Sequence, residues 1–129
     1  MTYLLDTDWV IDFLRGRIAA HQLPTSLRSG ELAISLVTYG EIYDGIDQSA
    51  DPINAEVGFL RLLRYLAIVP LDEASIRRFF QVRGELRRRG TPLEDLDLIV
   101  AATALHHNLT LVTRNRRHFA RVPNLTLYP

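Results

Sequence analysis

The sequence predicts an α/β fold of three layers, in which a central, mainly parallel sheet of four or five strands lies between helices on both faces. Short apolar runs that are typical of buried strands alternate with longer segments whose apolar residues recur at helical spacing. The chain has 129 residues, the size of one ordinary domain, and shows no internal repeat, low-complexity tract or linker. We therefore expect a single domain over residues 1–129 with a parallel sheet.

Two strand–helix pairs are predicted at the start of the chain. The apolar run at residues 3–5 predicts a strand, and the helix that follows it ends at Gly16. The run at residues 32–36 predicts a second strand. Thr38, with Glu41 three residues later, fits a capping box and predicts that Thr38 caps the second helix.

The rest of the chain continues the alternation of helices and strands. Its predicted elements are a helix over 53–66, a strand over 68–71, a helix over 73–89, a helix over 95–107, a strand over 109–112 and a last short strand over 125–127. Strands that alternate with helices run in the same direction, so their carboxyl ends meet at one edge of the sheet, where ligands bind in such folds.

Composition excludes several kinds of active site. There is no Cys, which rules out a disulfide framework, a thiolate zinc site, an iron–sulfur cluster and a thiol nucleophile. All fifteen basic residues are Arg, and the lack of Lys rules out a Schiff-base lysine and a Walker A motif. The net charge of zero argues against a uniformly basic nucleic-acid-binding surface but leaves local patches open.

The zero net charge is a cancellation between two parts of the chain. Residues 1–75 hold five Arg and eleven acidic residues, a balance of −6, whereas residues 76–129 hold ten Arg and four acidic residues, a balance of +6. We expect acidic residues of the first part and arginines of the second to face one cleft. The N-terminal stretch has no basic leader, and no window approaches eighteen apolar residues, so we expect a cytoplasmic protein without a membrane partner.

Polar residues occur where predicted strands end and helices begin. Asp6 follows the first strand, Glu41 lies in the first turn after the second, Asp95 and Asp97 begin the 95–107 helix, and Asn115 follows the fourth strand. Clustered carboxylates repel one another unless a cation is bound among them, and oxygen ligands without His or Cys suit Mg²⁺ or Mn²⁺. Such an ion can orient and polarise a phosphate and activate water. Helix capping explains a single acid here equally well, so the prediction depends on the whole set.

Four segments of the chain, in this order, carry a family pattern: YLLDTDWVIDFLRG at 3–16, ISLVTYGEIYDG at 34–45, GTPLEDLDLIVAATALHHNLTLVTRN at 90–115 and RHFARVPNL at 117–125. Together they span almost the whole chain and resemble the PIN-domain nucleases, more narrowly the VapC-type toxins of bacterial toxin–antitoxin pairs. The long third segment is the most specific of the four. The resemblance implies a PIN-like α/β/α fold.

The resemblance also implies the residues of the site. The family's catalytic, metal-binding acids fall on Asp6, Glu41 and Asp97. Asp8 stands where relatives often have Asn. Supporting positions fall on four polar residues, which are Thr7, Asp95, Thr113 and Asn115.

The implied activity is that of a Mg²⁺-dependent endoribonuclease, with Mn²⁺ as a second ion, which hydrolyses RNA phosphodiester bonds to a 3′-hydroxyl and a 5′-phosphate. The resemblance further implies a homodimer that a cognate antitoxin inhibits, with DNA contacted only through the antitoxin. Three alternatives remain open: a housekeeping RNA-processing PIN nuclease without an antitoxin, a phosphoacceptor receiver domain, which normally needs a Lys that is absent here, and a catalytically inactive binding module.

Arginines near the expected site are candidates for contact with RNA, because a guanidinium binds phosphate through two hydrogen bonds. These candidates are Arg15, Arg114, Arg116 and Arg117. The adjacent pair His106 and His107 also suggests metal chemistry. Because neighbouring residues of a helix point in different directions, we expect these two histidines to be separate and exposed.

Overall fold

The computed structural model describes residues 2–18 and 31–129, and within these ranges the chain forms six helices and four strands. In chain order they are β1 (Tyr3–Leu5), α1 (Thr7–Leu14), β2 (Leu32–Ser35), α2 (Leu36–Asp47), α3 (Pro52–Leu63), β3 (Ala67–Val69), α4 (Glu73–Arg88), α5 (Asp95–His106), β4 (Thr110–Val112) and α6 (Arg116–Phe119). The predicted alternation of strands and helices is confirmed.

The four strands form one parallel sheet in the order β3-β2-β1-β4. In β1, Leu4 pairs with Ala33 of β2 on one side and with Leu111 of β4 on the other. The first strand of the chain therefore lies inside the sheet and is buried on both faces, which explains its uninterrupted apolar run. The carboxyl end of β1 is flanked by the carboxyl ends of its neighbours.

Successive residues of each strand point to opposite faces of the sheet, so their side chains pack in two separate hydrophobic cores. Leu4 packs in a core that includes Phe79 of α4 and Leu98 of α5. Leu5 packs in a second core that includes Trp9 of α1 and Phe59 of α3. Helices α4 and α5 therefore cover one face, and α1, α2 and α3 cover the other, which confirms the predicted three layers.

Helix α2 does not begin where the capping-box pattern predicts. Its N-cap is Ser35, the last residue of β2, whose side-chain oxygen accepts a hydrogen bond from the backbone N–H of Thr38 at 3.0 Å. Thr38 is therefore the third residue of the helix and is fully buried. The capping prediction for Thr38 is wrong because β2 passes directly into α2, with the extended Ser35 as the only junction residue.

Two other predicted boundaries differ. β3 covers Ala67–Val69 and ends before Pro70, which has no N–H to continue the ladder. The last predicted strand is reduced to an isolated bridge between Leu111 and Leu127. Asn124 precedes that bridge with a φ of 65°, a left-handed conformation that interrupts extended pairing.

Helix α5 connects the edge of the sheet that holds the predicted acids with the opposite end of the molecule. Most of its middle is buried, and its small residues Ala101, Ala102 and Ala104 are fully buried in the core shared with α4. The longest helix, α4, has 16 residues, fewer than the roughly 20 that a bilayer crossing needs. None of the helices within the described ranges is long and apolar enough to span a membrane.

Candidate active site

Asp6 is held rigidly at the end of β1. It is the N-cap of α1 and is only 4% exposed. One carboxylate oxygen, Oδ1, accepts from the backbone N–H of Thr7 at 2.8 Å, and the other, Oδ2, accepts from the hydroxyl of Thr113 at 2.7 Å. Both oxygens are therefore oriented by residues that follow neighbouring strands, β1 and β4.

Glu41 lies on α2 and is joined to the same place through hydroxyl groups. Thr7 donates its hydroxyl to Oε1 of Glu41 at 2.7 Å and lies 3.0 Å from the hydroxyl of Thr38. Ser35 in turn donates to the Thr38 hydroxyl at 3.1 Å. This chain of hydroxyls fixes one oxygen of Glu41 relative to the residue next to Asp6.

Asp97 lies in the first turn of α5 and lines a depression of about 230 Å³ together with Glu94, Asn115 and His118. Burial is the main cause that raises the pKa of Asp97, and the negative charges of Glu94 and Glu41 raise it further, whereas His118 opposes the rise. Glu41 and Asp97 are therefore close enough to repel each other. The structure thus brings the three predicted acids to one edge of the sheet.

Asp8 belongs to this group, although the sequence analysis gave it no role in the site. Its Oδ1 is buried and has no hydrogen-bond partner among the described residues. Burial raises the pKa of Asp6 to about 8, and the negative charge of Asp8 is the next largest cause. Asp8 stands two positions after Asp6 in the first turn of α1, a spacing that could have indicated a second carboxylate at this helix end.

The donor set fits a divalent cation. Within residues 2–18 and 31–129, Asp6, Asp8, Glu41 and Asp97 form no ion pair with a basic residue. The raised pKa values and the unpartnered oxygen of Asp8 show that the described residues do not balance this negative charge. Mg²⁺ suits such a set of oxygens, because it keeps several water ligands and is bound by only one or two carboxylates.

The remaining supporting residues lie in different places. Asn115 is next to the site: its backbone N–H donates to the Thr113 hydroxyl at 2.9 Å, and its side chain lies 2.7 Å from Nδ1 of His118. Asp95 is exposed, and its carboxylate pairs with Arg83 of α4 at 3.3 Å. Asp95 lines a depression that Asp97 does not share.

Three further polar residues that the sequence analysis did not assign to the site lie three positions along the chain from a residue that it did assign. They are Thr38 before Glu41, Glu94 before Asp97 and His118 after Asn115. Residues three apart share one face of a helical turn, so this spacing is the signal that could have found them.

The arginines after β4 are only partly available to a ligand. Arg114 pairs with Asp12 at 3.1 Å, and Arg116 donates to the backbone carbonyl of Tyr128. Arg117 is exposed and forms no ion pair with the residues that the structure describes. Arg117 is therefore the arginine of α6 whose guanidinium is most accessible.

Arg15 lies outside the acidic edge. It lines an apolar groove of about 250 Å³ between α1, α2 and α3, together with Ile11, Ile42, Ile46 and Ala55. Arg15 therefore borders this groove at the C-terminal end of α1, whereas Asp6 is at its N-terminal end.

Comparisons of the sequence with known proteins all point to the same family. The family model that matches residues 3–125 is the PIN domain. Ribonuclease VapC1 of Methanocaldococcus jannaschii is 32% identical over 125 residues, covering 96% of this chain and 83% of the relative. The tRNA(fMet)-specific endonuclease VapC of Shigella flexneri is 29% identical over 125 residues, covering 97% of this chain and 95% of the relative.

Solved structures agree with these relatives. The crystal structure of VapBC2 from Rickettsia felis, bound to a DNA fragment from its promoter, superposes with a TM-score of 0.91 at 26% identity, covering 99% of this chain and 98% of the matched chain. DNA-bound VapBC from Salmonella typhimurium superposes with a TM-score of 0.92, also at 26% identity, covering 99% and 97%. The chain therefore belongs to the PIN domain family and, within it, to the VapC proteins.

Proposed function

We propose that this protein is the toxin of a toxin–antitoxin pair and acts in the cytoplasm as a metal-dependent endoribonuclease. The observation that carries the proposal is the group of acids at one edge of the sheet, in which Asp6 is buried, Asp8, Glu41 and Asp97 are half-buried, and none forms an ion pair with a described basic residue. Burial and the charge of Asp8 raise the pKa of Asp6 to about 8. The relatives named as ribonucleases and as a tRNA-specific endonuclease, together with the VapBC complexes, support it.

Asp6, Glu41 and Asp97 are the residues that would hold the divalent cation, for which Mg²⁺ is the first candidate and Mn²⁺ the second. When bound, such an ion supplies Lewis-acid chemistry: it withdraws electron density from a phosphodiester and lowers the pKa of water. The buried Oδ1 of Asp8, which lacks a partner among the described residues, adds negative charge that favours a cation at this place.

The chain's own residues orient the reactants. Thr113 and the backbone N–H of Thr7 keep both oxygens of Asp6 in fixed directions. The Thr7 hydroxyl holds Oε1 of Glu41, which leaves Oε2 as the oxygen that would hold the cation. In-line attack of water on phosphorus breaks the bond to the 3′-oxygen, which takes up the proton that the water loses, so the products are a 5′-phosphate and a 3′-hydroxyl.

We assign RNA contact to the basic residues of α6, foremost the exposed Arg117, with Arg114 and Arg116 beside it. Single-stranded RNA carries one charge per phosphate, and a guanidinium can bind a phosphate through two hydrogen bonds. Arg15 faces the apolar groove instead, so we assign it to the antitoxin side of the molecule.

The antitoxin would lay an apolar helix face into the groove between α1, α2 and α3. The groove is lined by aliphatic side chains such as Ile11, Ile42 and Ile46, with Arg15 at its border. DNA would be contacted only by the antitoxin, and solved VapBC complexes of two other bacteria are bound to DNA. Exposed apolar side chains on β3 and α4, among them Ile68 and Phe80, and Tyr65 in the turn before β3 support a homodimer.

A matched pair of variants tests the nuclease proposal. We expect Asp97→Asn to reduce Mg²⁺-dependent cleavage of total RNA by about 100-fold or more, the range for loss of one electrostatic contact in a catalytic site. Asp95→Asn makes the same change two positions away, on a carboxylate that pairs with Arg83, and we expect a loss of less than about threefold, within the effect of an exposed ion pair. Full activity of Asp97→Asn would overturn the proposal. An equal loss in Asp95→Asn would give Asp95 the supporting role that the sequence predicts.

A second test separates a toxin from a housekeeping nuclease. Any small reading frame found next to the gene is co-expressed with it, and cleavage is measured for the copurified complex. Inhibition that is relieved by Ala55→Glu, which places a charge in the apolar groove at a half-buried position, is the result expected of an antitoxin. If the protein purifies without a partner and cleaves RNA without inhibition, that result would favour the housekeeping alternative.

A further inference from the structure

His106, His107 and Asp72 lie together at the end of α5 that is opposite the acidic site. One ligand atom from each of the three side chains lies within 4.8 Å of the other two. This is the only such set of three or more His, Asp or Glu ligand atoms in residues 2–18 and 31–129. His106 follows Asp97 by nine positions in the same helix, which is about 13 Å along the helix axis.

The end of α5 brings the two histidines together. The helix stops at His106, and His107 is its C-cap, with φ −91° and ψ 5°. Asn108 then adopts a φ of 54°, and the chain turns into β4. The two imidazole rings meet edge to face with their centroids 4.7 Å apart. His106 is exposed, as expected, and His107 is half-buried. The expectation that the two side chains are separate is wrong, since their rings are in contact where the helix ends.

The two carboxylate oxygens of Asp72 make different contacts. As the N-cap of α4, its Oδ1 accepts from the backbone N–H and from the hydroxyl of Ser75, both at 2.8 Å. Its Oδ2 faces Nε2 of His106 at 3.8 Å, which is too long for a hydrogen bond. The capping function therefore leaves one carboxylate oxygen directed at the histidines and available as a ligand.

The ring of His107 provides a second, independent observation that points to a bound ion. Its Nε2 is buried and has no hydrogen-bond partner among the described residues. A buried ring nitrogen without a partner costs free energy, since it has lost its contact with water and gained nothing in return. A metal ion bound to that nitrogen would remove this cost.

We propose that Asp72, His106 and His107 form a second metal site, which takes a borderline transition-metal cation such as Zn²⁺ and is distinct from the Mg²⁺ site. Imidazole nitrogens select Zn²⁺, Ni²⁺ or Cu²⁺ over Mg²⁺, and two His with one carboxylate leave a fourth tetrahedral position to water. Tetrahedral Zn²⁺ places its ligand atoms about 3.3 Å apart, so the 3.8 Å gap between His106 and Asp72 closes by a small side-chain rotation.

Bound there, the ion ties the start of α4 to the end of α5. These two helices share the core on one face of the sheet, so the ion would restrain that layer from outside. The C-terminal end of α5 carries the negative end of the helix dipole, which favours a cation. The expected effect is a higher melting temperature when the ion is present.

The test uses the untagged full-length protein, stripped with a chelator and titrated with Zn²⁺ by calorimetry. In the Asp97→Asn background, which weakens the acidic site, we expect one saturable Zn²⁺ equivalent and a melting temperature that rises by about 5 °C. His106→Gln and His107→Gln should each weaken Zn²⁺ binding by at least about tenfold, since each removes one of three protein ligands. His118→Gln, a histidine beside the acidic site, is the matched control and should keep the affinity within about twofold.

Cobalt(II) gives a second readout, because its visible absorption reports tetrahedral nitrogen and oxygen ligands directly. We expect a d–d absorption band in the Asp97→Asn protein that disappears in His106→Gln. His106 is exposed, so this variant should fold even if His107→Gln does not. Zn²⁺ affinity in His106→Gln equal to that of its parent, or no saturable Zn²⁺ binding at all, would overturn the proposal.

Discussion

The two ends of helix α5 hold polar groups that differ in chemistry and in how their charge is balanced. At the N-terminal end, Asp97 lies close enough to Asp8 of α1 and Glu41 of α2 for their negative charges to raise its pKa. At the C-terminal end, two imidazole rings meet the carboxylate of Asp72. If both proposals hold, one helix positions a site for a hard cation and a site for a borderline cation at its opposite ends.

The pKa values of the two carboxylates show why the ends differ. The pKa of Asp72 is lowered, first by the hydrogen bonds from Ser75 and then by the nearby His106 and His107. The pKa of Asp97 is raised, because burial and the charges of its acidic neighbours outweigh His118. The protein balances the negative charge at the C-terminal end with its own groups, whereas the N-terminal end lacks that balance among the described residues.

The largest expected effect is on RNA cleavage, which should depend on the N-terminal end of α5 and not on its C-terminal end. Asp6→Asn should reduce Mg²⁺-dependent RNA cleavage by about 100-fold or more, because it removes a charge from the place that we assign to the cation. His106→Gln should leave cleavage within about twofold, since His106 lies at the other end of α5. Initial rates on an end-labelled RNA measure both. A comparable loss in the two variants would mean that the ends of α5 do not act independently.

The next effect concerns the pH dependence of stability. The pKa of Asp6 is about 8 in the folded chain and 3.8 in its ordinary state, so between these values the metal-free native state holds a proton that the unfolded state releases. The free energy of unfolding should therefore fall as pH rises from 5 to 8, by up to about 1.4 kcal/mol per pH unit.

Urea denaturation in the presence of a chelator measures this slope. Asp6→Asn should flatten it, and its metal-free form should be more stable than the wild type at pH 8. Asp95→Asn, which changes an exposed carboxylate that pairs with Arg83, should leave the slope unchanged. A wild-type slope that survives Asp6→Asn would show that another group carries the proton.

The smallest expected effect concerns Arg117 of α6, which we assign to RNA contact. In the Asp97→Asn background, in which we expect little cleavage, Arg117→Ala should weaken binding of single-stranded RNA. The slope of log Kd against the logarithm of the salt concentration should fall by about 0.7, the value for one phosphate contact. Fluorescence anisotropy at several salt concentrations measures it. Arg61→Ala, on the exposed surface of α3, is the control and should change neither quantity. An unchanged slope for Arg117→Ala would remove Arg117 from the RNA-binding surface.

The acids at the N-terminal end of α5 could be predicted from the sequence because local pattern determines them. A buried strand that runs directly into a helix places its junction residue at the edge of a parallel sheet, whatever the rest of the chain does. Asp6 follows from this rule, whereas Glu41, the sixth residue of α2, and Asp97, on a helix that follows α4 rather than a strand, were predicted from the family pattern. The rule says nothing about side-chain direction, so it treated Asp95 and Asp97 alike, although only Asp97 lines the depression beside Asn115.

What the sequence by itself determined is the alternation of strands and helices, the three layers and the edge at which the acids meet, because these depend on periodicity and on the direction of parallel strands. Only the tertiary structure decided that Oδ1 of Asp8 is buried without a partner among the described residues, and that Asp72 meets His106 and His107. The contact of Asp72 with the two histidines depends on how α4 packs against α5 and on the turn at Asn108. Residues 34 positions apart in the chain become neighbours only when these two helices are packed together.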